Sequence, residues 1–207
     1  MNKVTNIKVK KTKPVKGRKN VEKRLIDSAA ELVGSIGPNQ LTIRDIAVHA
    51  GVNHAQIHHY FGGKQGLLIA TYKQLAFEHV EQLERRNISP ENLGNEPLAD
   101  ITDNYFRAII RAVLDGNMDL AMIQVDSNLS MSQQTLNRLT KLLNLKKPNS
   151  EAKAAIAIVM IVEFGLASMR PYIEEVLELN DKDNDIFMKM FFEARELGLQ
   201  KALKKIK

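Results

Sequence analysis

Hydrogen-bonding side chains without negative charge are concentrated in residues 53–60, which read Asn-His-Ala-Gln-Ile-His-His-Tyr and hold three of the chain's five histidines. On a helix, the residues predicted to face outward are His54, Ala55, Gln56, His58, His59 and Tyr60. Base edges present donors and acceptors, whereas phosphates repel carboxylates, so such a face is suited to DNA. Gln56 can make a two-point contact with adenine, although another base edge or a phosphate is also within its chemistry.

The histidines also allow metal binding. His54 and His58 are four residues apart and share one helical face, a spacing that can hold a metal ion. No Asp, Glu or Cys lies near them in the sequence, and a metal there would compete with DNA. We therefore predict that these histidines face the groove, with no metal site and no cofactor.

The first of two short helices that position this face is predicted from Ile43 to about Ala50. Thr42 and Asp45 are spaced as a capping box, in which a hydroxyl and a carboxylate satisfy free N–H groups at a helix start. Gly51 follows the helix and tolerates the positive φ that a tight turn needs.

The second short helix carries the histidines. Asn53 is predicted to be its N-cap, with Gln56 as the reciprocal partner. Ile57 and Phe61 are four residues apart, so both face inward and leave the polar residues outside. Two short helices around one glycine turn are typical of a helix-turn-helix, whose second helix enters the major groove.

Helical periodicity also dominates the rest of the sequence, which predicts an all-α fold. One helix is predicted from Val21 to Ile36 and a longer one from about Lys64, followed by a turn-rich break at residues 88–97. Pro171 is expected to kink or split the helix that contains it. The further predicted helices are Leu98–Asp115, Met118–Ser127, Ser132–Leu145, Ser150–Leu179 and Asp185–Lys205.

Positive charge is gathered at the N-terminus. Residues 1–20 contain eight Lys or Arg and no Asp or Glu, although the formal net charge of the whole chain is only +6. Residues 1–18 are therefore predicted to be a disordered or extended basic arm. Such an arm is typical either of a contact with nucleic acid or of a solubilising tail.

Composition argues against several other classes of protein. The chain has no cysteine, which excludes disulfides and thiolate chemistry and fits a cytoplasmic location. The longest apolar run, residues 154–162, is much shorter than the roughly 20 residues that span a bilayer, so no membrane contact is expected. No nucleophile elbow, phosphate loop or cofactor fingerprint is recognisable, so we do not expect an enzyme.

The segment from Leu41 to Lys64 resembles the signature of the TetR family of transcriptional regulators. The residues that carry the resemblance are Thr-Ile-Arg-Asp-Ile-Ala, then Ala-Gly-Val, then Ile-His-His-Tyr-Phe and a lysine. The resemblance covers roughly residues 20–75. The chain departs from most members at His58, where an aromatic residue is usual, and at Gln65-Gly66, where many have an acid.

This resemblance implies an all-helical homodimer with a helix-turn-helix domain at residues 19–65 and an effector-binding and dimerisation domain at residues 66–207. It implies a repressor that binds a palindromic operator in double-stranded DNA and is released by a small, largely apolar ligand. A regulator without such an effector, controlled by a protein partner, is the alternative. The residues implied to contact DNA are Thr42, Arg44, Asn53, His54, Ala55, Gln56, His58, His59, Tyr60 and Lys64.

The second half of the chain contains candidates for the ligand pocket and the dimer interface. Methionine and aromatic residues would suit an apolar effector, although ordinary core packing is an alternative for any one of them. Glu163 interrupts an apolar helix and is expected either to orient a ligand or to lie on a solvated face. The last two predicted helices carry small and apolar residues that would allow a four-helix dimer interface. The predicted pocket residues are Phe106, Ile110, Met122, Met160, Phe164 and Tyr172.

Overall fold

Helices form where apolar residues recur every three or four positions, and the all-α prediction is confirmed. The computed structural model describes residues 17–89, residue 98 and residues 104–204, the last four of these by their backbone alone. The helices within these residues are α1 (Arg18–Ile36), α2 (Ile43–Ala50), α3 (Ala55–Phe61), α4 (Lys64–Arg85), α5 (Asn104–Leu114), α6 (Met118–Asp126), α7 (Met131–Leu142), α8 (Ser150–Val176) and α9 (Asp181–Lys204).

The predicted helix boundaries agree with these within a few residues, with three differences. The last helix begins at Asp181 rather than Asp185. The helix predicted from Leu98 is described only from Asn104, and residues 99–103 lie outside the described part of the chain. The predicted basic arm also lies outside it, except for its last two residues, and Arg18 already belongs to α1.

One cluster of buried residues extends from the N-terminal helices into the C-terminal half. It includes Leu25 of α1, Ile57 of α3, Phe106 of α5 and Leu120 of α6. The predicted helix-turn-helix region therefore rests on the same core as the helices that follow it. Burial of these large apolar side chains, about 1.5–3 kcal/mol each, supplies much of the energy that fixes their relative positions.

Close contacts join α1 and α4 to α5. Gly34 of α1 lies against Asn104 and Arg107, where a Cβ atom would be 3.3 Å from the Asn104 side-chain oxygen. Tyr72 of α4 donates its hydroxyl to the carbonyl oxygen of Ala108 at 2.9 Å, and burial raises the pKa of this phenol above its ordinary value. Helix α5 is thus fixed against two N-terminal helices.

Helices α8 and α9 pack on each other. Of the two effects expected of Pro171, a kink or a split, the split does not occur, since α8 runs through it from Ser150 to Val176. By length and composition α8 is also apolar enough to cross a membrane, the one such helix in the described residues. The prediction of no membrane-spanning segment rested only on the length of uninterrupted apolar runs. Helix α8 is weak evidence for a membrane span, because core helices of soluble proteins can be equally long and apolar.

Candidate nucleic-acid interface and internal cavity

The start of α2 is fixed by the predicted capping box. The backbone N–H of Asp45 donates to Thr42 Oγ1 at 3.1 Å, and the backbone N–H of Thr42 donates to Asp45 Oδ2 at 3.0 Å. Asp45 is the acidic residue of α2, and its carboxylate is engaged in this cap. Its negative charge therefore stabilises the helix start, where the helix dipole also favours an anion.

The turn between α2 and α3 confirms the role of glycine and the capping role of Asn53. Gly51 adopts the left-handed conformation, with φ of 64° and ψ of 38°. His54 directly precedes α3, but it already has helical backbone angles and its side chain makes no cap hydrogen bond. Asn53 still satisfies a free donor, since its Oδ1 accepts a hydrogen bond from the Ala55 N–H at 2.9 Å.

The polar residues of α3 lie at the surface, as its periodicity predicts. Ile57 is fully buried, whereas His54, His58 and His59 are exposed and Gln56 is partly exposed. No acidic residue occurs in α3. The other predicted contact residues are also exposed or partly exposed: Thr42, Arg44, Asn53, Ala55, Tyr60 and Lys64.

Two contacts position the ends of this surface. A Cβ atom at Gly66 of α4 would overlap the carbonyl oxygen of Phe61, so α3 and α4 can approach this closely only with glycine there. Lys64 lies at the start of α4 and donates from Nζ to the carbonyl oxygen of Asn39 at 3.3 Å. The glycine of the Gln65-Gly66 pair thus has a steric explanation.

Arg18, which was predicted only as part of the basic arm, also contacts α3. Its guanidinium lies 5.6 Å from the centre of the Tyr60 ring, within the range of a cation–π contact. The first residue of α1 therefore lies beside the end of α3. The run of cations before Arg18 was the available signal, but only packing could place it next to Tyr60.

Within the described residues, no group of three or more His, Cys, Asp or Glu side chains is arranged to hold a metal ion.

A small cavity of about 30 Å³ is lined by residues of α4, α5, α6, α7 and α8 and by Leu98. It has space for roughly two water molecules. Of the predicted pocket residues, Phe106, Met160 and Phe164 line it, and Ile110, Met122 and Tyr172 do not. The full lining consists of His79, Leu98, Tyr105, Phe106, Gln124, Met131, Ser132, Val159, Met160, Glu163 and Phe164.

The three predicted pocket residues that do not line this cavity are partly or largely exposed. Tyr172 is 62% exposed and Met122 is 41% exposed, whereas Ile110 is half-buried away from the cavity. Residue type alone selected them, because methionine and tyrosine are common both in cavities and on apolar surfaces. The direction of each side chain depends on how α5, α6 and α8 are rotated in the fold.

Glu163 lies in the cavity wall and is buried, so the expectation of a solvated face is wrong. Its Oε1 accepts a hydrogen bond from Arg195 of α9 at 2.8 Å, and its Oε2 accepts one from the backbone N–H of Leu98 at 2.9 Å. A buried charge requires such partners. Arg195 lies 32 residues away in sequence, and no local pattern identifies it.

Aromatic rings form one wall of the cavity. His79 of α4 stacks on Tyr105, with ring centres 4.3 Å apart and ring planes 10° apart. Phe106 meets both of these rings edge to face and meets Phe164 in the same way at 5.0 Å. His79 was not predicted, since a single histidine on an apolar helix gives no signal of a site.

Comparison with known proteins agrees with this geometry. The family model described as "Bacterial regulatory proteins, tetR family" matches residues 25–71, which span α2 and α3 and the flanking parts of α1 and α4. Over residues 25–71 the chain is thus similar to bacterial regulatory proteins of the TetR family. It is accordingly a DNA-binding transcriptional regulator.

Relatives of this regulator include proteins aligned beyond the N-terminal helices. The HTH-type transcriptional repressor Rv3405c of Mycobacterium tuberculosis is 25% identical over 173 residues, 82% of this chain and 84% of that protein. The HTH-type transcriptional regulator BetI of Brucella canis is 38% identical over 86 residues, 42% of this chain and 43% of that protein.

A solved structure of similar fold supports the full-length architecture. The crystal structure of a HlyIIR mutant protein matches with a TM-score of 0.57 and 17% identity, covering 86% of this chain and 98% of that one. At this identity the match shows the fold and nothing further.

Proposed function

We propose that this regulator is a repressor that binds an inverted-repeat operator as a homodimer and is released by a small, largely apolar ligand. The observation that carries the DNA-binding part is the exposed, acid-free face of α3, held by a capped α2 and the buried Ile57. The name of the Mycobacterium tuberculosis relative, a transcriptional repressor, supports repression rather than activation.

The proposed contacts follow from where the side chains lie. Gln56 and His58 would reach base edges, where amide and imidazole groups can both donate and accept hydrogen bonds. Thr42 and Arg44 at the start of α2 would meet phosphate or a base. Asn53, His54 and Ala55 would line the groove around them, whereas His59, Tyr60 and Lys64 would contact the flanking phosphates.

The homodimer is supported by unpartnered apolar surface on α8 and α9. Ile161 is 72% exposed, and Met190 and Leu197 of α9 are also more than half exposed. Large contiguous apolar patches are rare on soluble monomers, and these exposed side chains on both helices are available to an apolar interface. Two copies of this helix pair would form a four-helix interface and present two copies of α3 to successive turns of the major groove.

The effector is proposed to occupy the cavity bounded by Phe106, Val159 and Phe164. The lining is mostly apolar, with Gln124, Ser132 and Glu163 available for polar contacts. Because about 30 Å³ holds only water-sized molecules, a larger ligand requires the lining side chains, those of α5 included, to move apart. Such a change would move α5, which is packed against α1 and α4, and could thereby alter the position of α3.

The test of sequence-specific binding is selection from a random DNA library with the purified protein, repeated with Gln56→Ala. We expect an enriched inverted repeat, and a loss of preference with the variant at one symmetric pair of positions. Gln82→Ala is the matched control, because Gln82 is an exposed glutamine near the end of α4 that is distant from α3. Absence of any enriched sequence at low salt would contradict the proposal.

The test of the effector is a thermal-shift screen with short aliphatic alcohols and substituted benzenes. Val159→Phe fills the cavity, and Val113→Phe makes the same change at an exposed position of α5. A true effector should stabilise the wild type and Val113→Phe, fail to stabilise Val159→Phe, and release DNA from the wild type. A screen without any such compound would favour the alternative regulator that has no small-molecule effector.

A further inference from the structure

Two turns that are distant in sequence are joined by hydrogen bonds through Asn39. Asn39 lies between α1 and α2, and Asp115 and Asn117 lie between α5 and α6. The Asn39 backbone N–H donates to Asp115 Oδ2 at 3.0 Å, and Asn39 Nδ2 donates to the Asp115 carbonyl oxygen at 2.9 Å. Asn117 Nδ2 donates to Asn39 Oδ1 at 2.6 Å. We call these three residues the Asn39 junction.

The remaining polar atom of Asn39 is also engaged. Its carbonyl oxygen accepts the hydrogen bond from Lys64 Nζ at 3.3 Å. Backbone N–H, backbone oxygen, side-chain oxygen and side-chain nitrogen are therefore all bonded. Hydrogen bonds in four directions restrict the orientation of this turn more than a single bond would, because each depends on the donor–acceptor angle.

The two turns approach each other closely at the same place. Gly37 has a φ of 82°, and a Cβ atom there would lie 2.7 Å from Asp115 Oδ2. Only glycine therefore permits both this backbone conformation and this approach. Helix α5 connects the junction to the cavity. Its last residue, Leu114, directly precedes Asp115, and its first turn contains the cavity residues Tyr105 and Phe106.

We propose that the Asn39 junction is a positioning element that sets the half-site spacing the dimer accepts. This inference rests on the proposed dimeric DNA-binding function. The junction ties the turn that leads into α2 and α3 to the turn between α5 and α6. Helix α5 packs in turn against α8, which carries part of the proposed dimer interface. The separation of the two recognition helices then depends on this connection, whereas the base contacts within one half-site do not.

The experiment compares affinities for the inverted repeat selected by the wild type with affinities for the same repeat lengthened or shortened by one base pair. We expect the wild type to prefer the selected spacing by about tenfold, comparable to the cost of one mismatched base pair. In Asn39→Ala this preference should fall to about threefold or less, with affinity for a single half-site unchanged within about twofold. Asn137→Ala, an exposed asparagine of α7, is the matched control and should behave as wild type.

A second pair of variants separates positioning from folding of the helix-turn-helix. Asp115→Ala leaves all side chains of α1 to α3 in place and should reduce spacing discrimination as Asn39→Ala does. Asp115→Asn keeps an oxygen acceptor for the Asn39 N–H and should therefore discriminate between spacings as the wild type does. Undiminished discrimination in both alanine variants, or an equal loss of half-site binding, would overturn the inference. Failure of the wild type to select any inverted repeat would instead overturn the proposed function.

Discussion

The Glu163 carboxylate of α8 and the Arg195 guanidinium of α9 form an ion pair at 2.8 Å, with side chains that are only 2% and 4% exposed. The pair is the polar connection between the two helices that carry the proposed dimer interface, and it borders the cavity. Two buried charges are stable only together, since each loses its hydration on burial. This relationship makes the pair a sensitive point of the fold.

Replacing Glu163 with glutamine should strongly destabilise the protein. Glu163→Gln leaves the buried Arg195 guanidinium without this carboxylate, and loss of one partner of a buried ion pair costs about 3–5 kcal/mol. The measurement is the free energy of unfolding in urea at one fixed protein concentration, because dimerisation makes stability depend on concentration.

An exposed ion pair provides the control for this substitution. Asp27→Asn disrupts the Lys23–Asp27 contact of 2.8 Å, in which the side chains are 70% and 44% exposed, and should cost no more than about 1 kcal/mol. Adding Arg195→Met to Glu163→Gln should recover part of the loss, because it removes the charge. Equal effects of Glu163→Gln and Asp27→Asn would refute the assignment of a buried ion pair.

Gly66→Ala should impair both folding and DNA binding. The added methyl group would overlap the carbonyl oxygen of Phe61, so α3 must move away from α4. We expect a loss of stability of about 1–3 kcal/mol, as for other overpacked sites, and weaker binding to the selected DNA. Thermal melts and binding titrations provide the measurement.

Gly198→Ala is the matched glycine substitution for that experiment. Gly198 lies inside α9, where a Cβ atom would be 3.5 Å from Ile158, an ordinary contact. Alanine there should leave stability unchanged or raise it by up to about 1 kcal/mol, because glycine is less favourable than alanine inside a helix. An equally harmless Gly66→Ala would contradict the close contact between α4 and the Phe61 carbonyl oxygen of α3.

Asp45→Ala should weaken the start of α2. It removes the carboxylate that accepts from the Thr42 N–H, and loss of helix-capping interactions costs about 0.5–2 kcal/mol. Asp119→Ala is the control, because this acid also lies in the first turn of a helix, but one whose N-cap has no side-chain hydrogen bond. A smaller loss of stability for Asp45→Ala than for Asp119→Ala, measured by urea unfolding, would argue against the capping box.

Ile161→Arg should convert the proposed dimer into a monomer. Ile161 is 72% exposed on α8, and a charged side chain at the centre of an apolar interface would be buried without a partner. Sedimentation equilibrium measures the change. Leu142→Arg introduces the same charge at a 55% exposed leucine at the end of α7 and should leave the assembly unchanged. A monomeric wild type would contradict the dimer itself.

The sequence by itself determined the helices and the local geometry of the DNA-facing segment. The capping box of Thr42 and Asp45, the turn at Gly51 and the inward direction of Ile57 were all predictable, because each depends on residues within one or two helical turns. The capping hydrogen bond of Asn53 to the first turn of α3 was predictable for the same reason, because it too depends only on neighbouring residues.

Only the tertiary structure decided which distant residues meet. The Asn39 junction joins residues that are 76 and 78 positions apart, and Glu163 reaches Leu98 over 65 positions. The cavity, likewise, excludes the predicted Met122 and Tyr172 and includes His79. Such contacts depend on how whole helices are rotated and packed against one another, and that choice minimises exposed apolar surface across the entire chain rather than within any local segment.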